Sequence, residues 1–274
     1  MFHQLSRNKS FKSVFPHTKP LFKNPFMKQK KYFLFSLFFF FLLSLQVKSQ
    51  LSIGIEGGGT KNYLNTNVSN LVSTEYNPAY GFNIGIPVLY KVNDWLAFQA
   101  GPSYIQKNYQ LARTDFFQGV YQDNTNTYLQ LPLMAHLSFG GQQLRGFLNL
   151  GGYGGYWLSA HIKGTTPNIL DEPAYTNTVS NAQPNNVFDE YTPYNYDEKY
   201  QFNNTKDNRI ELGLLAGVGM SYEMNDKYLF FGEARYYQSM SDQQKNYQIN
   251  LVPRYNETVG VSLGCLYELG GKSN

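Results

Sequence analysis

The chain has 274 residues, 15% of them charged and 17% aromatic, and a formal net charge of +4. Much of the positive charge lies before residue 50, so the remainder is near neutral or mildly acidic and gives nucleic-acid binding no electrostatic support. The lone cysteine, Cys265, excludes an intramolecular disulfide. No residue cluster has metal-ligand or nucleotide-cradling spacing, so no metal or cofactor is expected.

Residues 1–26 are basic and Phe-rich without a globular pattern, and read as a misassigned start or an extended leader. Residues 27–49 begin Met27-Lys28-Gln29-Lys30-Lys31 and continue through a Phe/Leu-rich stretch to Lys48-Ser49. A basic start, an apolar run and small residues at a plausible cut predict a signal peptide cleaved after Ser49. The rival is an uncleaved anchor, but the apolar run is short for a span. No cysteine stands at the cut, which excludes a lipoprotein. Residues 50–274 are then one domain.

Beyond residue 50 the recurring signal is alternation. In Tyr128–Phe139, Leu129, Leu131, Leu133, Ala135, Leu137 and Phe139 take every second place, with Tyr128, Gln130, Pro132, Met134, His136 and Ser138 between them. A period of two sorts these onto opposite faces of a strand; at helical spacing the apolar set would scatter. The run matches the roughly 9–11 residues a tilted strand needs to cross a bilayer.

Seven further runs repeat the pattern. In chain order, outward Ile53 and Ile55 oppose Ser52 and Glu56, with Gly57-Gly58-Gly59 as a turn. Phe82, Ile84, Ile86, Val88 and Tyr90 oppose Asn83, Gly85, Pro87 and Lys91. Leu96, Phe98, Ala100 and Tyr104 oppose Gln99, Gly101, Ser103 and Lys107. After the Tyr128 run, Leu144, Leu148, Leu150, Tyr156 and Leu158 oppose Arg145, Asn149, Gly151, Gly155 and Trp157. Ile210, Leu212, Leu214, Val218 and Met220 oppose Glu211, Gly213, Gly217, Gly219 and Ser221. Phe230, Ala234 and Tyr236 oppose Glu233 and Arg235. Val259, Val261, Leu263, Cys265 and Tyr267 oppose Gly260, Ser262, Gly264 and Glu268.

Short links at 93–94, 140–143 and 224–227 alternate with long polar ones at 58–79, 109–126, 159–208 and 239–257. Outer-membrane barrels combine short periplasmic turns with long outer loops. The predicted fold is all-β: a membrane-spanning, antiparallel, up-and-down barrel of eight strands with long extracellular loops and both termini periplasmic. A soluble β-sandwich would explain the alternation but not the loop lengths.

An eight-stranded lumen is about filled by its own side chains. Glu211, Glu233, Arg145, Arg235, Lys91 and Glu268 are expected there, paired to offset desolvation, with glycine making room for large neighbours. An ion path along that network is the rival reading. Tyr90, Trp95, Tyr104, Tyr128, Tyr156, Trp157, Tyr222 and Tyr267 sit near strand ends, where aromatic belts form.

Two pairs invite a catalytic reading. His136-Leu137-Ser138 resembles the His-x-Ser pair of barrel lipid A deacylases, and residues two apart share a strand face as nucleophile activation needs. The topology puts this pair inside, near the periplasmic end, away from outer-leaflet lipid. Ser159-Ala160-His161 lies at the outer rim but has no evident acidic orienter. No catalytic residue is therefore assigned. The loop at 165–208 carries Asp171, Glu172, Asp189, Glu190, Asp197 and Glu198 among Tyr175, Tyr191, Tyr194, Tyr196 and Tyr200. It reads as a surface loop that is mobile or forms a hairpin, or else as a binding surface, since exposed tyrosines give contact area at low entropic cost.

With these residues in view, the chain resembles the PorT-like outer-membrane β-barrel family of Bacteroidetes-type bacteria. The resemblance spans about Gln50 to Leu269. It rests on Tyr128-Leu129-Gln130-Leu131-Pro132-Leu133, the Gly-rich strand from Phe147 to Gly155, and Phe231-Gly232-Glu233-Ala234-Arg235-Tyr236-Tyr237. It implies an outer-membrane location and a barrel fold, with no catalytic residues to carry over. One member type is linked to type IX secretion. The expected function is a non-enzymatic barrel with a filled lumen, its outer loops serving surface interaction or a structural role. The alternatives are an accessory component of a secretion or envelope-assembly complex and a lipid-acting barrel enzyme. The expected partners are outer-membrane lipid and envelope or secretion-system proteins.

Overall fold

The computed structural model describes residues 50–69, 71–170, 185–225, 227–249 and 251–270. The leader and signal-peptide readings at 1–49 lie outside the described residues, as do Asp171, Glu172 and Tyr175. Among the described residues, twelve strands form one antiparallel sheet. They are β1 (Leu51–Asn65), β2 (Thr74–Gly85), β3 (Val88–Lys91), β4 (Leu96–Ala100), β5 (Ser103–Gln106), β6 (Tyr109–Arg113), β7 (Tyr121–Gly140), β8 (Leu144–Pro167), β9 (Pro193–Lys199), β10 (Ile210–Met224), β11 (Tyr228–Ser239) and β12 (Tyr255–Glu268).

The count exceeds the eight expected partly because two runs are interrupted. β2 and β3 are separated at Ile86-Pro87, where proline has no N–H for the ladder. The neighbours still pair across the gap, through Gly54 N–H to Pro87 O (3.0 Å) and Ile86 N–H to Pro102 O (3.0 Å). β4, β5 and β6 are separated at Gly101-Pro102 and at Lys107-Asn108, and all three pair with β7. β9 is an added strand along the far end of β8, matching His161–Pro167 to Pro193–Lys199.

Gly57-Gly58-Gly59 is not a turn. It lies inside β1, paired to β12 and to β2. A Cβ on Gly58 would fall 2.0 Å from Val261 O, so the bare backbone is what lets the two strands approach. The long links are also shorter than composition suggested, because the strands run on. β7 has 20 residues and β8 has 24, and the connections of the sheet at that end begin only at 66, 114, 168 and 240.

The alternating faces are as the period dictates, with apolar and polar reversed relative to a soluble protein. Leu131 and Leu133 are 50% and 61% exposed, while Gln130 and His136, before and beyond them, are 1% and 6% exposed. The same holds on β10, where Leu212, Leu214 and Val218 are exposed and Glu211 is buried. The buried face encloses an interior, since residues of strands that do not pair meet there. Lys107, just beyond β5, bonds Glu211 of β10, and Arg235 of β11 bonds Glu56 of β1.

Two apolar clusters flank the polar interior. Near the short turns lie Leu89, Ala97, Phe147, Phe231 and Leu266. Toward the long connections lie Ile105, Tyr128, Met134, Tyr153, Trp157, Leu215 and Tyr237, with Tyr200 and Phe202 packed on them. Tyr128 and Trp157 are thus interior residues, 2% and 6% exposed, not members of an outer aromatic belt. Their period had already put them on the inward face; proximity to strand ends was the misleading cue.

Candidate functional site

The interior holds two linked polar networks. In the first, Arg235 donates through Nε and Nη2 to both oxygens of Glu233 (2.9 and 2.5 Å), and through Nη1 and Nη2 to Glu56 (3.3 and 3.4 Å). Nη1 also reaches Tyr237 Oη at 3.0 Å. Asn149 Nδ2 donates to Glu233 Oε1 (2.9 Å), and Asn149 Oδ1 lies 2.8 Å from His136 Nδ1. Arg235, Glu233 and Glu56 are all buried. The Arg fork matched to a carboxylate is the strong form of such a pair. Gly217 makes the room: a Cβ there would fall 2.1 Å from Glu233 Oε1.

In the second network Lys107, fully buried, pairs with Glu211. Its Nζ lies 4.5, 5.2 and 5.7 Å from the ring centres of Tyr153, Tyr128 and Tyr237, so three ring faces and one carboxylate surround the ammonium. Tyr153 Oη donates to Glu211 Oε1 (2.8 Å) and Asn256 Nδ2 to Glu211 Oε2 (2.7 Å). Asn62 and Thr258 extend the chain of bonds through Asn256.

Of the six charged residues expected inside, Glu211, Glu233 and Arg235 are buried there. Lys91 and Glu268 pair at 3.1 Å at the short-turn end, with the lysine one-third exposed. Arg145 lies at the same end and donates to Asp94 O. Glu56 and Lys107 are buried in the same networks. Their parity marked them as inward, but they were not counted among the charges.

At the long-connection end two segments fold over the interior and knit together. Asp207 bridges Gln244, Asn208 N–H bonds Gln243 O (2.9 Å), and Lys245 N–H bonds Lys206 O (2.8 Å). Gln243 Nε2 reaches down to Tyr128 Oη at 3.0 Å. The β7–β8 register shifts by one at Thr127/Tyr128, opposite Leu158. Arg209 fastens that bulge, donating to Trp157 O (2.9 Å) and Leu158 O (3.1 Å). Trp157 stacks with Tyr128 (5.8 Å, 8°) and with Tyr200 (6.3 Å, 10°), and the Phe202 ring is edge-on at 5.0 Å. Beside it lies a cavity of about 170 Å³ lined by aromatic, amide and charged side chains. Burial and the neighbouring Asp207 push the Tyr200 phenol up to about 12.

The tempting catalytic pairs part company here. His136 packs on Phe147 with ring centres 4.7 Å apart and is buried. Among the described residues no hydrogen bond joins it to Ser138. His161 does have an acidic partner: Asp197, on β9, bonds its Nε2. That bond holds the Asp197 carboxyl below the usual carboxylate range. The sequence could not show this partner, which lies 36 residues away. No hydrogen bond among the described residues links Ser159 to His161, so a base is oriented but no nucleophile is engaged. Of the loop tyrosines, Tyr194 is exposed, whereas Tyr196 bonds Gln122 and Tyr200 bonds Asp207.

A polar, ion-paired interior inside an apolar exterior is the arrangement of a membrane β-barrel. The family model for the outer membrane protein beta-barrel domain matches residues 44–244. The chain belongs to that family. The exposed leucines, isoleucines and valines on the strands of this outer-membrane barrel therefore face lipid, and its strands cross the bilayer. No curated protein matches the chain. Among solved structures, Neisserial surface protein A is 13% identical with a TM-score of 0.40, covering 80% of this chain and 97% of its own. OprG of Pseudomonas aeruginosa is 13% identical with a TM-score of 0.41, covering 82% and 98%. Ail of Yersinia pestis, the attachment invasion locus protein, is 13% identical with a TM-score of 0.36, covering 80% and 98%.

On the lipid-facing surface of the barrel, Ala100 and Ala135 are small among larger neighbours. They leave a groove of about 370 Å³ walled by Val88, Tyr90, Phe98 and Leu133. Trp95, Phe139, Tyr222, Tyr228 and Tyr267 are exposed near the short turns, and Tyr63, Tyr80, Tyr156 and Tyr236 toward the other end. From Leu129 to Phe139, at about 3.4 Å per residue and a tilt of roughly 45°, β7 rises about 25 Å, the usual height of the apolar band.

Proposed function

We propose that the twelve strands make eight staves of a closed barrel with a filled lumen, acting without catalysis at the bacterial surface. β2 with β3, and β4 with β5 and β6, each count as one stave, and β9 is a hairpin arm beyond the membrane. The β1–β12 ladder, running from Ser52↔Glu268 to Asn65↔Tyr255, supports closure, since it joins the first stave to the last. The alternation of short and long connections supports periplasmic termini and an extracellular mouth.

The observation that carries the reading is the occupied interior. Two buried ion-pair networks, with an apolar layer beneath them, occupy the space through which a solute path would have to run. The purified barrel in a planar bilayer is expected to show no stable conductance, and unheated samples should migrate faster than boiled ones in a detergent gel. Sustained channel conductance would overturn the filled-lumen reading. A sample without heat-dependent migration would overturn the barrel.

A second reading has one observation in its favour. The groove around Ala100 and Ala135 suits docking against another membrane protein, as for an accessory component of a secretion or envelope-assembly complex of PorT-like type. Purification from native membranes with partner identification tests it, and recovery of the barrel alone would sink it.

A further inference from the structure

We propose that the cavity at the mouth binds a hydroxylated carboxylate about the size of one sugar-acid ring. Its volume of about 170 Å³ is worth roughly six water molecules and falls below the roughly 300 Å³ where drug-sized sites begin. One donor in its wall has no partner: Trp157 Nε1 is buried and makes no hydrogen bond. Tyr128 and Tyr200 lie nearly parallel to the indole, at 5.8 and 6.3 Å. A buried N–H left unpaired is costly; Nε1 is closed to water in this arrangement, so an acceptor in the cavity relieves that cost by drawing the indole edge toward it.

The sign of the ligand follows from the charges. Lys206 and Arg254 line the cavity, and neither has a carboxylate partner among the described residues; they lie over the Tyr247 and Tyr76 rings at 5.5 and 6.0 Å. The one acid in the wall, Asp207, already accepts from Tyr200 Oη (3.0 Å) and Asn203 N–H (2.6 Å). Two cations are thus available to an anion. The hydroxyls follow from the amides. Gln243 and Gln244 donate their nitrogens to Tyr128 Oη and Val252 O, which leaves their carbonyl oxygens as acceptors for ligand hydroxyls. The carboxylate goes to the cations and the indole N–H, and the hydroxylated part goes to the amide oxygens.

That the mouth faces the extracellular side rests on the proposed topology; binding itself does not. The test uses refolded barrel carrying Trp95→Phe, which leaves Trp157 as the sole indole of the two in the chain. Titration with D-glucuronate is expected to change its emission saturably, with D-glucose and inorganic phosphate each at least about tenfold weaker. Arg254→Gln and Lys206→Gln are each expected to weaken glucuronate binding about tenfold, as loss of one charge-assisted contact does. Calorimetry on Trp157→Phe should show a similar loss with the fold intact. The methyl glucuronoside separates two sources: binding equal to the free acid admits a glycan chain end, and weaker binding confines the site to free sugar acids. No saturation with glucuronate, phosphate binding as tightly, or variants that bind unchanged would each overturn the proposal. Heat-dependent gel migration is recorded for every sample, so failure of the barrel itself is seen separately.

Discussion

At the short-turn end the interior closes on Leu89, Phe147, Phe231 and Leu266; at the mouth it opens beside Trp157, Gln243 and Arg254. Glycines on neighbouring strands let the large rings of the closed end fit. A Cβ on Gly219 would fall 2.3 Å from the Phe147 ring, and one on Gly264 2.3 Å from Phe231. At the mouth the filling comes from segments beyond the strands, and they leave a cavity and an unpaired indole N–H. One end is finished by close packing within the sheet. The other is finished by a lid of hydrogen-bonded loops that stops short of filling the space. The contrast teaches that close packing and open space are divided between the two ends, with the charged layers of Arg235 and Lys107 between them.

The most damaging way to break this arrangement is to remove the charge that separates the ends. Lys107→Met strands Glu211 as a buried, unpaired carboxylate and should cost about 3–5 kcal/mol, read as a fall in the urea midpoint of the refolded barrel. Adding Glu211→Gln to the same protein should recover most of the loss. If the single variant matches wild type, the pair is not holding the interior together.

Truncation separates the ends themselves. Phe147→Ala opens a void in the closed end, should cost roughly 3 kcal/mol, and should admit a small ion leak in bilayers. Trp157→Phe at the mouth keeps the stack and deletes the orphan donor, so without ligand its stability should stay within about 1 kcal/mol of wild type. Equal losses at both positions would erase the distinction between a packed end and a receptive one.

A weaker effect sharpens the lid. Tyr200 has its phenol raised to about 12 by burial and Asp207. A raised folded value means that this bond contributes fully below pH 10 and is lost as pH rises from 10 to 12. Spectroscopic titration of wild type against Tyr200→Phe should show one fewer tyrosine ionising in that upper range in the variant. The smallest change is expected from His161→Ala on the exposed β8–β9 arm, which should leave the urea midpoint unmoved, as exposed ion pairs usually do.

Much of this fold was legible because lipid and lumen impose opposite chemistry on successive residues. Wherever a strand lies in the membrane, from Leu129 to Phe139 or Ile210 to Met220, parity alone sorted the faces. It failed where that contrast vanishes. Tyr121–Asn126 is polar at nearly every position and read as loop, yet pairs continuously with β8. Gly57-Gly58-Gly59 read as a turn because glycine content says nothing about the Val261 carbonyl packed against it. The mouth was illegible for another reason. Its residues come from β6, β7, β8 and two separate loops, and no local spacing announces that Trp157, Asp207 and Arg254 share a cavity. The acid of His161 was hidden in the same way.

The ladder between β1 and β12 carries a consequence for how the chain is made. Asn62 on the first strand bonds Asn256 on the last, 194 residues later, and Asn256 in turn holds Glu211. A chain released before its last strand would therefore present two raw edges and an acid deprived of one of its neutral donors. The β1–β12 ladder can form only once the last strand has been made, and until then both edges are templates for any passing strand. Folding therefore has to bring two segments nearly two hundred positions apart side by side late in assembly.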